Sequence, residues 1–176
     1  FYLSYFYNKK FKLPYISAKI AISKDYFTIN KKLRWITNDQ SKQVIHLLRS
    51  NNDCIISTSK SVNSDNSLLN CRIEGLNNYK PDLLIIDSKL KLKKNFKLNK
   101  IIKKRKTFLI TTEVNKIKTK IFKKKGYKII IIESLSKKKD FILLFEQIYK
   151  LGYRRVFFES GLTFLNSLLK YKLLNK

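Results

Sequence analysis

The chain has 176 residues, 44% hydrophobic and 13% aromatic, which is enough for one folded domain and too apolar for a disordered tail. A formal net charge of +27 attracts any polyanion, but the lysines lie on nearly every segment, and abundant Lys, Asn and Ile with scarce Arg, Gly, Ala and Pro is the usage an A/T-rich genome imposes on an ordinary enzyme. No apolar run reaches the roughly 18–20 residues of a membrane span, the aromatic opening is broken by tyrosines and lysines and so does not read as a signal peptide, and Cys54 and Cys71, which lack zinc-ligand spacing, read as reduced thiols in a cytoplasm.

The segment 1–13, rich in Tyr, Phe and Lys, reads as a connector, and the absence of Met suggests a piece of a larger product. "PYISAKIAIS" (14–23) alternates: Ile16, Ala18, Ile20 and Ile22 form an oily strand face, while Ser17, Lys19, Ala21 and Ser23 form a small-residue face with one lysine. A turn through Lys24, Asp25 and Tyr26 follows. Thr37 with Gln40 has the spacing of a capping box, and Val44, Leu47 and Leu48 form the apolar stripe of a helix that runs to about Arg49. "DCIIS" (53–57) is a second strand, and a long polar loop (57–72) comes next. "DLLIID" (82–87) and "TFLITT" (107–112) are short buried strands. A helix near 115–125 stops at Gly126, and the strand "YKIIII" (127–132) follows it. A helix at about 137–150 stops at Gly152, the strand "RRVFFE" (154–159) comes next, and "GLTFLNSLLK" (161–170) opens a last helix. Strands alternating with helices predict an α/β domain with a largely parallel sheet.

In such a sheet, ligands sit at the carboxyl ends of strands and at helix amino termini. Glu159 ends a strand, Gly161 permits close backbone approach, and the helix after it presents free N–H groups; a plain structural turn is the alternative. In the polar loop, Asp65 and Arg72 serve either a ligand or the loop itself. Arg49, in a last helical turn, is favoured by the helix dipole whatever its function, and His46 reads as a helix-face residue without a triad partner. A lysine on the small-residue face of a central strand needs a partner, a ligand or a route to solvent, which singles out Lys19.

"PYISAKIAIS", "WITNDQSKQVIHLLRS", "SVNSDNSLLNCR" and "FFESGLTFLNSLL" resemble, in order and spacing, the reductase domain of the bacterial riboflavin-biosynthesis deaminase/reductase, from about Pro14 to Leu174. The resemblance implies a dihydrofolate-reductase-like three-layer α/β sandwich. It also implies NADPH-dependent reduction of 5-amino-6-(5-phosphoribosylamino)uracil to the ribitylamino compound. It implies cofactor contacts at Ile22, Trp35, Ser61, Asp65 and along Gly161, Leu162, Thr163, Phe164, Leu165, Asn166 and Ser167. Substrate contacts fall at Leu33, Arg49, Leu69, Arg72 and Glu159, with the two arginines suited to a sugar phosphate and Glu159 to the uracil. Lys19 matches the strand lysine beside the ribose carbon that receives the hydride.

The chain departs from the family at Tyr26, where Gly is usual, at Leu33, where Ser is common, and at Ser67, where Pro is usual. The family also continues beyond the last helix with strands that complete the sheet and help form a homodimer, and a zinc-binding deaminase half is expected before residue 1, fused or as a partner. The resemblance implies neither specific nucleic-acid binding nor a membrane. The two rival readings are a basic nucleic-acid-binding α/β domain and a relative that keeps the fold without turnover.

Overall fold

The computed structural model describes residues 2–25, 27, 38–76, 81–93, 97–112 and 114–176. In chain order the elements are α1 (Tyr2–Phe11), β1 (Tyr15–Ala18), α2 (Asp39–Ser50), β2 (Cys54–Thr58), α3 (Ser59–Asp65), β3 (Asp82–Ile86), α4 (Lys97–Ile101), β4 (Thr107–Thr111), α5 (Lys116–Lys124), β5 (Lys128–Ile131), α6 (Lys138–Lys150), β6 (Arg155–Phe158) and α7 (Leu162–Lys170), with a 3-10 turn at Ile102–Lys104. The six strands form one sheet in the order β1-β6-β2-β3-β4-β5, and every neighbouring pair is parallel.

Period-two alternation sorts the strand residues onto two cores. Ile16, Cys54, Ile56, Leu84, Ile86, Phe108, Ile110, Val156 and Phe158 face α6 and α7, where they meet Phe141, Leu144, Phe145, Ile148 and Leu168. Ile55, Leu83, Ile85, Leu109 and Phe157 face the opposite way, against Val62 of α3, Leu98 of α4 and Phe122 of α5. The result is a three-layer α/β sandwich with both sheet faces covered, as an all-parallel sheet requires. Gly126 and Gly152 end α5 and α6 in the left-handed region, each at φ +99°, which glycine adopts without a Cβ penalty. Asn175 and Lys176 lie along the outer edge of β1, where both backbone N–H groups donate to Ile16 O (2.8 and 3.3 Å) and Lys176 O accepts from Ala18 N (3.0 Å).

Several local expectations differ from the structure. The strand expected over 14–23 ends at Ala18: after Lys19 N donates to Phe158 O (3.2 Å), its neighbour β6 has ended and the next residue, Glu159, donates instead to Ile56 O (2.9 Å). Ile20 and Ile22 therefore stand about half exposed, and Ala21 and Ser23 share no strand face with Lys19. Asn38, not Thr37, caps α2, accepting from Ser41 N at 2.8 Å, and asparagine is at least as good a cap as threonine. Thr37 lies outside the described residues. The expected stripe on α2 is mostly outward: Val44 and Leu47 are exposed, Leu48 is half-buried, and His46 is the buried residue.

The polar loop begins as α3, capped by Thr58, whose hydroxyl accepts from Ser61 N at 3.2 Å, and anchored by buried Val62. The segment read as a connector contains α1, docked through Asn8, whose side-chain amide donates to Leu13 O (2.7 Å) and Arg154 O (3.2 Å). Both cysteines are free and buried. No helix among the described residues is long and apolar enough to cross a membrane. Exposed lysines lie on α5 against one sheet face and on α6 against the other, not on one face as a nucleic-acid groove would need.

Candidate active site

The consecutive strands β2, β3, β4 and β5 run to one side of the sheet, and β6 and β1 lie on the other side of β2. The order therefore switches between β2 and β6, where a parallel sheet opens a crevice at its carboxyl edge. Lys19, Glu159 and the starts of α3 and α7 lie at this edge.

Glu159 follows β6 and is fixed through its backbone, its N–H donating to Ile56 O and its carbonyl accepting from Ser57 Oγ at 2.6 Å. Its carboxylate meets Arg49 as a bidentate pair, Nε to Oε1 at 2.6 Å and Nη2 to Oε2 at 2.9 Å, with both side chains 11% exposed. Arg49 is one turn from His46 on α2 and reaches over the loop after α3, where Nη1 donates to Asn70 O at 2.9 Å.

His46 lies between the two arginines. Its Nδ1 is 3.0 Å from Asn70 O and 3.2 Å from the backbone N–H of Arg72, while Nε2 is 3.5 Å from Arg72 Nη2. One neutral tautomer donates from Nδ1 to Asn70 O and offers Nε2 to Arg72 Nη2; the other accepts the Arg72 N–H at Nδ1. Burial holds the imidazole below its usual pKa of 6.5, and the charges of Arg49 and Arg72 push the same way.

Lys19 is half-buried and its ammonium is held below the ordinary lysine pKa, first by burial, which the Glu159 carboxylate opposes, Arg49 reinforces and Asp65 opposes. At the other side of the crevice, Ser61 Oγ accepts from Gly161 N at 3.2 Å and lies 3.0 Å from Thr58 Oγ1, so one hydroxyl ties the start of α3 to the start of α7. The N–H groups of Phe164 and Leu165 turn back to Gly161 O, whereas those of Leu162 and Thr163, in the first turn of α7, have no backbone partner among the described residues. These donors suit an anionic group such as a dinucleotide's phosphates.

The structure thus gathers Lys19, Arg49, Ser61, Asp65, Arg72, Glu159 and the start of α7 at one edge of the sheet. Leu162, Thr163 and Asn166 are exposed there, Ser167 Oγ donates to Thr163 O (3.3 Å), and Phe164 stacks on Phe158 at 5.6 Å between centroids. The side chain of Leu69 is buried in the core beneath α3, α4 and α5, and that of Leu165 is buried on α7. Ile22 lies beyond β1, half exposed, and Trp35 and Leu33 lie outside the described residues. His46, read from sequence as a plain helix-face residue, is a buried member of the cluster, and its spacing of three from Arg49 is the signal that could have flagged it. Asn70 and Ser57 act through a carbonyl and a hydroxyl at spacings no pattern marks.

Residues 14–176 match the RibD C-terminal domain family. The chain is 31% identical to the riboflavin biosynthesis protein RibD of Buchnera aphidicola subsp. Baizongia pistaciae, covering 93% of this chain and 46% of that protein. Among solved structures it is similar to RibD of Acinetobacter baumannii (TM-score 0.81, 19% identity, 98% of this chain and 46% of that one). It is also similar to the riboflavin biosynthesis reductase of Saccharomyces cerevisiae (TM-score 0.73, 23% identity, 93% and 70%). A third is the Thermotoga maritima diaminohydroxyphosphoribosylaminopyrimidine deaminase/5-amino-6-(5-phosphoribosylamino)uracil reductase (TM-score 0.74, 17% identity, 96% and 45%). The chain spans about half the length of the RibD relatives it matches, and the sandwich is the dihydrofolate-reductase-like fold of these neighbours. The chain belongs to the RibD C-terminal domain family.

Proposed function

We propose that this domain acts in riboflavin biosynthesis and reduces the ribose of 5-amino-6-(5-phosphoribosylamino)uracil to a ribityl chain at the expense of NADPH. The observation that carries the reading is the meeting of Lys19, Arg49, Arg72 and Glu159 with the open start of α7 at the β2/β6 switch, in a chain of this family.

NADPH fits the residues present. The first-turn N–H groups of Leu162 and Thr163, the bare backbone at Gly161 and the Ser61 hydroxyl offer donors to a diphosphate, and Trp35, Asp65 and Ile22 are the further contacts expected of the family. When bound, the cofactor supplies the hydride that the sugar carbon accepts. Arg72 is exposed, with Nη2 3.5 Å from His46 Nε2, and its guanidinium serves the substrate's phosphate. Two of the roughly four acceptor sites of the Glu159 carboxylate are taken by Arg49, which leaves acceptor capacity for an N–H of the uracil. Lys19 orients the opened sugar, and its ammonium, acidified by burial, holds the proton that the carbonyl oxygen takes as carbon accepts the hydride. A deaminase domain, fused or separate, would supply the substrate, and the complete protein is a homodimer in this reading.

The test follows NADPH absorbance with this substrate, together with fluorescence of Trp35, the chain's single tryptophan. Turnover with quenching supports the reading. Quenching without turnover supports a relative that keeps only the fold and the cofactor site. Unchanged fluorescence with no heat in calorimetry at saturating NADPH refutes the cofactor assignment.

A further inference from the structure

Below the loop that carries Leu69 and Arg72 lies a third guanidinium, Arg105, which belongs to neither the crevice nor any ion pair in the described residues. It is 8% exposed. Nη1 donates to Leu69 O at 2.7 Å and to Pro81 O at 3.1 Å, and Nη2 donates to Leu68 O, while Nε is buried without a hydrogen-bond partner. Burial lowers its pKa to about 10, a shift that Arg49 reinforces and Asp82 opposes, so it remains a cation at neutral pH. A buried cation held by carbonyls alone is a costly way to stabilise a loop. It is placed, however, where the loop is least able to hold itself: Leu69 sits in the left-handed region at φ +48°, which a leucine seldom adopts. The next residues are held from the other side, Asn70 O by Arg49 and Arg72 N by His46. Residues 68–72 are thus clamped between Arg105 underneath and the α2 side chains above.

We propose that Arg105 is a positioning residue for the sugar-phosphate site: by fixing the carbonyls of Leu68 and Leu69 it sets the height and direction of Arg72. This rests on the reading of Arg72 as a phosphate contact. Arg105 acts through backbone carbonyls, and among the described residues its hydrogen bonds go to Leu68, Leu69 and Pro81 and not to the α7 start, so its influence is confined to the phosphate side of the crevice.

The experiment measures binding of ribose 5-phosphate by calorimetry and of NADPH by Trp35 fluorescence, in the wild type, Arg105→Lys and Arg105→Met, each checked by circular dichroism. We expect Arg105→Met to weaken ribose 5-phosphate roughly ten- to a hundredfold and NADPH by less than about twofold, because the charge-assisted bonds it removes orient only the loop. Arg105→Lys, which keeps the charge and can reach one carbonyl, is expected to recover part of the loss. Equal ribose 5-phosphate affinity in wild type and a folded Arg105→Met overturns the proposal, as does a parallel loss of both ligands. If Arg105→Met fails to fold, Arg105→Lys decides by the same two affinities, and failure of both to fold makes Arg105 a core residue and overturns it too. Absence of ribose 5-phosphate binding in the wild type refutes instead the phosphate reading of Arg72.

Discussion

Replacing Glu159 by glutamine tests the Arg49–Glu159 pair as a structural as well as a functional contact. The substitution keeps the shape and one acceptor oxygen, but it removes the charge and turns an NH2 group towards one of the two guanidinium donors, now held at 2.6 and 2.9 Å. With both side chains 11% exposed, water replaces little of what is lost. Breaking a buried pair from one side costs about 3–5 kcal/mol, and the remaining amide acceptor and the bond to Asn70 O place this variant near the lower end, about 3 kcal/mol. For a chain of this length that lowers Tm by roughly 6–12 °C. The assay is thermal unfolding by circular dichroism at neutral pH in low and high salt, the loss persisting in high salt because the pair is shielded. A double variant, Arg49→Leu with Glu159→Leu, is expected to recover most of the loss, since replacing both partners with apolar groups is close to neutral. A Tm for Glu159→Gln within about 2 °C of wild type would refute the reasoning and make the pair a surface contact without structural weight.

Lys19→Ala is expected to fold, to quench Trp35 with NADPH as wild type does, and to lose most of its turnover; near-normal turnover removes Lys19 from the chemistry, and failure to fold makes it structural. His46 carries a pH signature. Its folded pKa lies below the unfolded value of 6.5, so the unfolded chain binds the proton first, and stability is full above 6.5 and is lost as pH falls from there towards the folded pKa. His46→Gln removes that decline, and identical urea midpoints for variant and wild type across this range count against a buried neutral imidazole. Any DNA binding driven by the charge of +27 should be non-specific and collapse between low and physiological salt; sequence-selective binding at physiological salt revives the nucleic-acid reading.

By itself the sequence determined the alternation of strand and helix, the largely parallel sheet and the ends where ligands gather, while the three-layer sandwich came from the family resemblance. The former follow from local periods and from glycines such as Gly126 and Gly152, which act over a few residues. Motif spacing likewise marked Lys19, Arg49, Arg72, Glu159 and the start of α7. Only the tertiary structure decided where β1 stops, because a ladder is as long as its neighbour and β6 ends at Phe158. It decided that Asn8 docks α1 onto the domain, a bond that reaches 146 residues along the chain to Arg154. It decided that Arg49 closes on Glu159, 110 residues away, and that Arg105 reaches up to 37 residues back to the carbonyls under Arg72. A charged side chain reads in sequence as a solvated one. Whether it instead holds a carboxylate or a carbonyl depends on which element the fold lays beside it, and that information is in no local window.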